Sequence, residues 1–114
     1  MKIVTRDAFM AMPGTLLYSE FRPVVFEAPH IRYPASSPTN AATLEMVPID
    51  TGDDKIFRLL LRAAEGSGES VPLDYTLTGD GEFYDGKQLY AVYEPDDIRA
   101  LIARLRECLP VEQV

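Results

Sequence analysis

Helix breakers cut this chain so often that only two windows can hold a helix of ordinary length. Pro13-Gly14, Pro23, Pro29, Pro34, Pro38 and Pro48 punctuate the first half. Proline removes a backbone donor and crowds the preceding turn, so helices stop there and strands carrying it stay at sheet edges. Between these breaks lie short runs rich in β-branched and aromatic residues, Thr15 to Phe21 and Val24 to Tyr33, which read as strands around Arg22-Pro23. Ahead of them, Lys2-Ile3-Val4 is a short apolar stretch. Thr5 is placed to cap a short helix with Ala8, Phe9 and Met12 on one side, stopped by Pro13-Gly14.

The first long window runs from about Asp53 to Glu65. Ile56, Leu59, Leu60 and Ala63 fall at i, i+3, i+4 and i+7, and Phe57, Leu61 and Ala64 widen that face, which predicts a helix buried on more than one side. Thr51 and Asp54 approximate a capping box, and Gly66 and Gly68 suit the C-terminal stop. The second window opens at Glu94-Pro95, where a missing N–H costs nothing, with Asp96 and Asp97 at the positive end of the helix dipole. Ile98, Leu101, Ile102, Leu105 and Leu109 form one apolar stripe before Pro110.

The remaining segments predict further strands. Leu44 to Ile49 is one. Val71 to Thr78 alternates most regularly, with Val71, Leu73, Tyr75 and Leu77 on one face. Gly79-Asp80-Gly81 reads as a turn, after which residues 82–84 and Leu89 to Tyr93 can return antiparallel around Asp85-Gly86. Pro34 to Thr43 is small, polar and proline-flanked, and predicts a mobile loop within a single domain spanning residues 1–114. Strands in hairpin-like pairs, without regular βαβ alternation, predict an α+β fold. The expected form is a small antiparallel or mixed sheet with about three helices. The last helix should dock through Ile98, Leu101, Ile102 and Leu105 on the sheet carrying Val71, Leu73, Tyr75 and Leu77.

At 114 residues the chain can bury a core without a disulfide or metal staple. One cysteine excludes an intramolecular disulfide and a multi-cysteine zinc site, and suits a reducing, cytoplasmic compartment. No apolar segment resembles a signal peptide or a membrane span; Ile56 to Ala64 is interrupted by Arg58 and Arg62. Charge is unevenly placed. Residues 65–97 hold nine acidic side chains against Lys87 alone, while the chain's net charge is −7. Such a field disfavours nucleic acid and anionic lipid and favours a basic protein surface. The same charges also fit a solvated face that keeps a small domain in solution.

The candidate chemistry is sparse. His30, the only histidine, lies between Pro29 and Ile31 in an expected strand, beside no nucleophile turn. Cys108 falls near a helix C-terminus, which does not activate a thiol. The turn from Asp80 to Gly86 departs from calcium-loop spacing, with Asp85 where glycine is required; Asp50, Asp53 and Asp54 are better explained by helix capping. The pairs Asp80/Glu82 and Asp96/Asp97 are near neighbours rather than carboxylates facing across a cleft. Gly66-Ser67-Gly68 follows a helix and lacks the lysine of a phosphate loop. No catalytic, metal or cofactor residue is assigned. Tyr75, Tyr84, Tyr90 and Tyr93 lie within the acidic segment, where tyrosine can anchor a basic partner or pack in the core with its hydroxyl at the rim. Asp74, Asp80, Glu82, Tyr84 and Asp85 are therefore the expected partner-binding residues, with Asp74 pointing off the apolar face of its strand.

The opening Met-Lys-Ile-Val-Thr-Arg-Asp-Ala-Phe-Met-Ala-Met-Pro-Gly-Thr-Leu-Leu-Tyr-Ser resembles the start of small accessory proteins of tailed phages and prophages. The stretch Gln-Leu-Tyr-Ala-Val-Tyr-Glu-Pro-Asp-Asp-Ile-Arg-Ala-Leu-Ile-Ala-Arg-Leu-Arg-Glu-Cys-Leu is similar in the same way. That resemblance implies expression in a bacterial host and, by analogy of size and genome context, inhibition of a host defence complex in the manner of anti-CRISPR proteins. An enzyme or ligand-binding domain using the open sheet face, and a structural or morphogenetic phage protein, are the competing expectations.

Overall fold

The computed structural model describes residues 1–48, 54–68, 70, 73–76 and 79–111. Lys2–Thr5 (β1) runs straight into a six-residue helix, Arg6–Ala11 (α1). Thr5 is the N-cap, its hydroxyl accepting the Ala8 N–H at 3.2 Å. At the other end the Met12 N–H returns to the Phe9 carbonyl at 3.2 Å. Gly14 then takes φ +82°, a left-handed conformation open to glycine without steric cost.

Leu16–Arg22 (β2) and Val25–Phe26 (β3) pair as a hairpin over Pro23-Val24. Proline followed by a left-handed residue is the pattern of a type II turn, and Val24 occupies the second place at φ 61°, where glycine or asparagine is the usual choice. The single strand expected over Val24 to Tyr33 is therefore two, divided at 27–29, where Pro29 interrupts pairing. His30–Ala35 (β4) and Asn40–Glu45 (β5) form a second hairpin. Its connection, Ser36 to Thr39, is held by the Ser36 N–H on the Asn40 carbonyl (2.9 Å) and by the Ser37 hydroxyl accepting the Asn40 N–H (3.0 Å). The loop expected over 34–43 is thus largely strand, because serine closes the turn locally. The strand expected from Leu44 begins at Asn40 and ends at Glu45.

The helix expected after residue 53 spans Asp54–Ser67 (α2). The capping residue proposed for it, Thr51, lies outside the described residues, as does Asp50 and Asp53 of the acidic group. Leu59, Leu61 and Ala63 of α2 are exposed, where burial was expected, and Ala64 is half-buried. Of the regular alternation at 71–78, residues 73–76 make a turn and no strand, and the others lie outside the described residues. In that turn the Asp74 carboxylate accepts the Thr76 N–H and hydroxyl, a local bond that competes with sheet pairing.

Gly79–Glu82 is a strand (β6) where Gly79-Asp80-Gly81 was expected as a turn, and Leu89–Val92 (β7) follows. The two do not return on each other. β6 pairs with β5, with Asn40 opposite Glu82 and Thr43 opposite Gly79, while β7 lies between β1 and β2. The sheet order is β1-β7-β2-β4-β5-β6, with β3 on β2 and every described pair antiparallel. Pro95–Arg106 (α3) leaves the end of β7 and lies beside the sheet. The fold is α+β, with an antiparallel sheet of seven strands and three helices among the described residues.

The sheet is curled around α1. In a flat sheet β7 and β6 would stand four strand spacings apart, roughly 19 Å. Yet Phe83, just past β6, has its ring 5.8 Å from that of Tyr90 on β7. Phe9 of α1 fills the space between them, stacked on Tyr90 at 4.3 Å and tilted against Tyr18 at 4.9 Å and Phe83 at 5.5 Å. These four rings, with Met10, Ala41 and Val92, are the core. On the opposite face Ser19 and Ala91 are cross-strand partners and both fully buried, with the Ser19 and Tyr93 hydroxyls 2.9 Å apart.

Arg32 is the least expected member of the interior. It sits on β4 with no solvent exposure, its guanidinium 5.1 Å from the centre of the Phe9 ring. Nη1 donates to the Phe9 carbonyl at 2.7 Å; Nη2 donates to Met12 and Gly14 carbonyls, both at 2.8 Å. One cation thus caps the C-terminus of α1 and pins the chain that leaves it, with charge of the sign the helix dipole favours there. Burial lowers the guanidinium pKa, partly opposed by Tyr18, and Nε has no hydrogen-bond partner among the described residues.

The docking expected of α3 is not made by the residues foreseen. Ile98 is half-buried, but Leu101, Ile102 and Leu105 are 39%, 44% and 62% exposed. The strand meant to receive them does not form at 73–76. The helix is instead tethered at its first turn, where Glu94 and Asp97 complete a capping box and the Met1 ammonium bonds both carboxylates.

Candidate functional site

The acidic residues are positioned by β6. Gly81 faces the core: a Cβ there would lie 2.7 Å from the Phe83 ring and 2.8 Å from the Thr43 methyl. Strand alternation then turns Asp80 and Glu82 to the other face, both exposed, on a strand whose outer edge is unpaired among the described residues. Glycine is required in this strand by the close approach of Phe83 and also makes the segment look like a turn in sequence.

Beyond β6 the chain dips to bury Phe83, whose N–H donates to the Thr39 carbonyl at 2.7 Å, then re-emerges at Tyr84, 61% exposed. Asp85 is exposed and starts the turn into β7, its carboxylate accepting the Lys87 N–H at 2.9 Å. Asp80 and Glu82 are thus exposed on β6, and Tyr84 and Asp85 are exposed in the connection that leaves it for β7. Asp74 stands apart in its own turn, half-buried. Thr76 donates to its carboxylate from both hydroxyl and N–H and holds its pKa below the usual carboxylate range. Asp74 is thus not on a strand face beside Asp80, as the alternating pattern implied.

The tyrosines divide. Tyr84 and Tyr75 are exposed; Tyr90 is core, and Tyr93 is half-buried on Ser19. Burial, with the nearby Glu20 and Asp85 carboxylates, pushes the Tyr90 phenol up to about 12, and burial with Glu20 raises Tyr18 further.

His30 starts β4 with Nδ1 2.9 Å from the Ala28 carbonyl and its ring 5.9 Å from that of Tyr18. Cys108 is an exposed free thiol. Among the described residues no group of three or more His, Cys, Asp or Glu is arranged to hold a metal ion, and no helix is long and apolar enough to cross a membrane. Arg32 is the residue that sequence reasoning missed. The one signal for it was indirect: a short helix ending at Pro13-Gly14 needs donors for its last carbonyls.

Comparison of the chain with protein-family models, with curated proteins and with solved structures gives no match.

Proposed function

We propose that this chain is a non-enzymatic binding protein whose β6 border engages a basic protein surface, and that it acts as a phage-encoded inhibitor of a bacterial defence complex inside the host cell. The observation that supports the binding reading is the exposure of Asp80 and Glu82 on β6, whose outer edge is unpaired among the described residues, with Tyr84 and Asp85 exposed in the connection that follows. Carboxylates steer a basic partner and speed its approach, while an exposed tyrosine supplies contact area at low entropic cost. The defence-complex target rests on the resemblance of the two chain ends to phage accessory proteins and on a net charge of −7, which suits competition for a surface that otherwise holds nucleic acid.

The test is affinity capture from bacterial lysate by the parent and by the triple variant Asp80→Lys, Glu82→Lys, Asp85→Lys. A captured protein with a basic surface, lost by the triple variant and released by moderate salt, supports the reading. Equal capture by both forms overturns it and leaves the acidic border as solvated surface.

A further inference from the structure

The main-chain bonds of β6 sort its residues into two kinds. In an antiparallel pair, residues that exchange both bonds with their partner alternate with residues whose N–H and C=O groups point the other way. The Phe83 N–H on the Thr39 carbonyl, at 2.7 Å, fixes the phase, so Gly81 with Ala41 and Gly79 with Thr43 are the bonded pairs. Asp80 and Glu82, opposite Ala42 and Asn40, therefore turn their main-chain donors and acceptors to the outer edge of the sheet. Among the described residues no strand pairs along that edge and no other backbone bond reaches it.

The free main-chain groups and the free carboxylates belong to the same two residues. Asp80 and Glu82 carry their side chains on the face away from the core, both exposed and neither in an ion pair among the described residues. A strand laid antiparallel on this edge would put the side chains directly opposite them on that same face, about 5 Å away. Such an edge chooses by sign. A second copy of β6 would set carboxylate against carboxylate, which is destabilising, whereas a strand with lysine or arginine at alternate positions gains an opposite-charge pair with each main-chain pair. Proline and β-bulges, which close an edge to every strand alike, are absent from β6 and from its register with β5.

We infer that the basic partner is met by strand addition: an extended segment with cations at alternate positions pairs antiparallel with β6, its main chain bonded to Asp80 and Glu82 and its cations opposite the two carboxylates. This rests on the reading of β6 as the contact for a basic protein, and specifies the form of the segment that β6 receives.

Short capped peptides that alternate threonine and lysine test this by nuclear magnetic resonance titration of the isotope-labelled full chain. One is unmodified, one is N-methylated at its lysine amides and one at its threonine amides. In antiparallel pairing the lysines opposite Asp80 and Glu82 donate to them, so methylation at lysine removes those bonds, while the threonine amides point away from β6. The expected result is binding by the unmodified peptide, with slowed amide exchange at Asp80 and Glu82. Methylation at lysine should weaken it at least about tenfold, and methylation at threonine by no more than about threefold. A peptide alternating threonine and glutamate should not bind. Equal binding by the two methylated peptides overturns strand addition while leaving contact through the carboxylates standing. The reverse order of the two, which parallel pairing gives, overturns it as well. So does an unmodified peptide that fails to bind at millimolar concentration, whatever the lysate capture yields. Exchange at Asp80 and Glu82 that slows with protein concentration alone assigns the edge to a second copy and also overturns it. The lysate capture varies the charge of β6, whereas the methylated peptides hold charge constant and vary only the pairing, so the two readings fail separately.

Discussion

Replacing Arg32 by Met should destabilise the fold by about 3 kcal/mol, through the end of α1 rather than through lost apolar contact. Methionine keeps the unbranched stem against Phe9 and removes only the guanidinium fork. The Phe9 carbonyl retains the Met12 N–H, so it loses one of two donors. The Met12 and Gly14 carbonyls lose bonds of 2.8 Å in part-buried positions, at about 1 kcal/mol each at the low end of the range for an unsatisfied buried acceptor. Loss of a cation at a partly buried helix C-terminus adds up to about 2 kcal/mol, and loss of the cation over the Phe9 ring about 1 kcal/mol. Against this, a charge and an unpartnered Nε leave the interior, and the relief recovers part of that sum. Arg32→Lys should be intermediate, because one ammonium cannot reach three carbonyls in the geometry of a planar fork. Urea titration followed by far-ultraviolet circular dichroism reads the effect, with tyrosine fluorescence as the second probe in a chain without tryptophan. If Arg32→Met unfolds within about 0.5 kcal/mol of the parent, the carbonyls are satisfied without the guanidinium and the capping role assigned to Arg32 is refuted.

Gly81→Ala should cost about 1–3 kcal/mol, because the added methyl meets the buried Phe83 ring at 2.7 Å, whereas Gly86→Ala, whose nearest neighbour would be the end of Arg6 at 3.8 Å, should change the urea midpoint little. Alkaline stability should follow the phenols. Tyr18 and Tyr90 have folded pKa values raised above their ordinary value, so the stability they lend is complete below pH of about 10 and is lost as pH rises through about 12 for Tyr90. A spectrophotometric titration should show these two of the six tyrosines ionising only with unfolding; six ordinary, reversible phenols in the intact fold would contradict the buried four-ring core.

Local signals were read well where one residue type has one physical role. Thr5 as a cap, Pro13-Gly14 as a stop, Pro23 in a turn and Pro95 opening the last helix all act within a few residues, and each stands where its chemistry places it. The β6 region was misread because its glycines answer a long-range demand. Gly81 is required by Phe83 and Thr43, and nothing adjacent in sequence distinguishes that from a turn. The alternation misled in the opposite direction at 73–76, where the Asp74 side chain bonds Thr76 locally and no strand forms. Arg32 was invisible for a related reason: its partners are three carbonyls, and a carbonyl leaves no mark on the sequence. Of the expected binding residues, Asp80 and Glu82 lie exposed on β6, Tyr84 and Asp85 lie exposed in the connection after it, and Asp74 is held in a separate turn by Thr76.

The same strand that presents the acidic border also seals the core, and pleating keeps the two roles apart. Gly81 looks inward on Phe83 and Thr43; Asp80 and Glu82 look outward, one residue to either side. Neither carboxylate forms an ion pair among the described residues, so reversing them removes no bond that the fold uses. Exposed charges of this kind contribute little to folding, within about 1 kcal/mol. Charge-reversed variants at Asp80 and Glu82 should consequently keep the parent's urea midpoint, and any binding they lose is attributable to the surface itself. Alanine at Gly81 makes the converse case, since it disturbs Phe83 while leaving both carboxylates in place. A partner that releases the charge variants yet still binds folded Gly81→Ala is recognising the carboxylates, and one that does the reverse is recognising the shape of the edge.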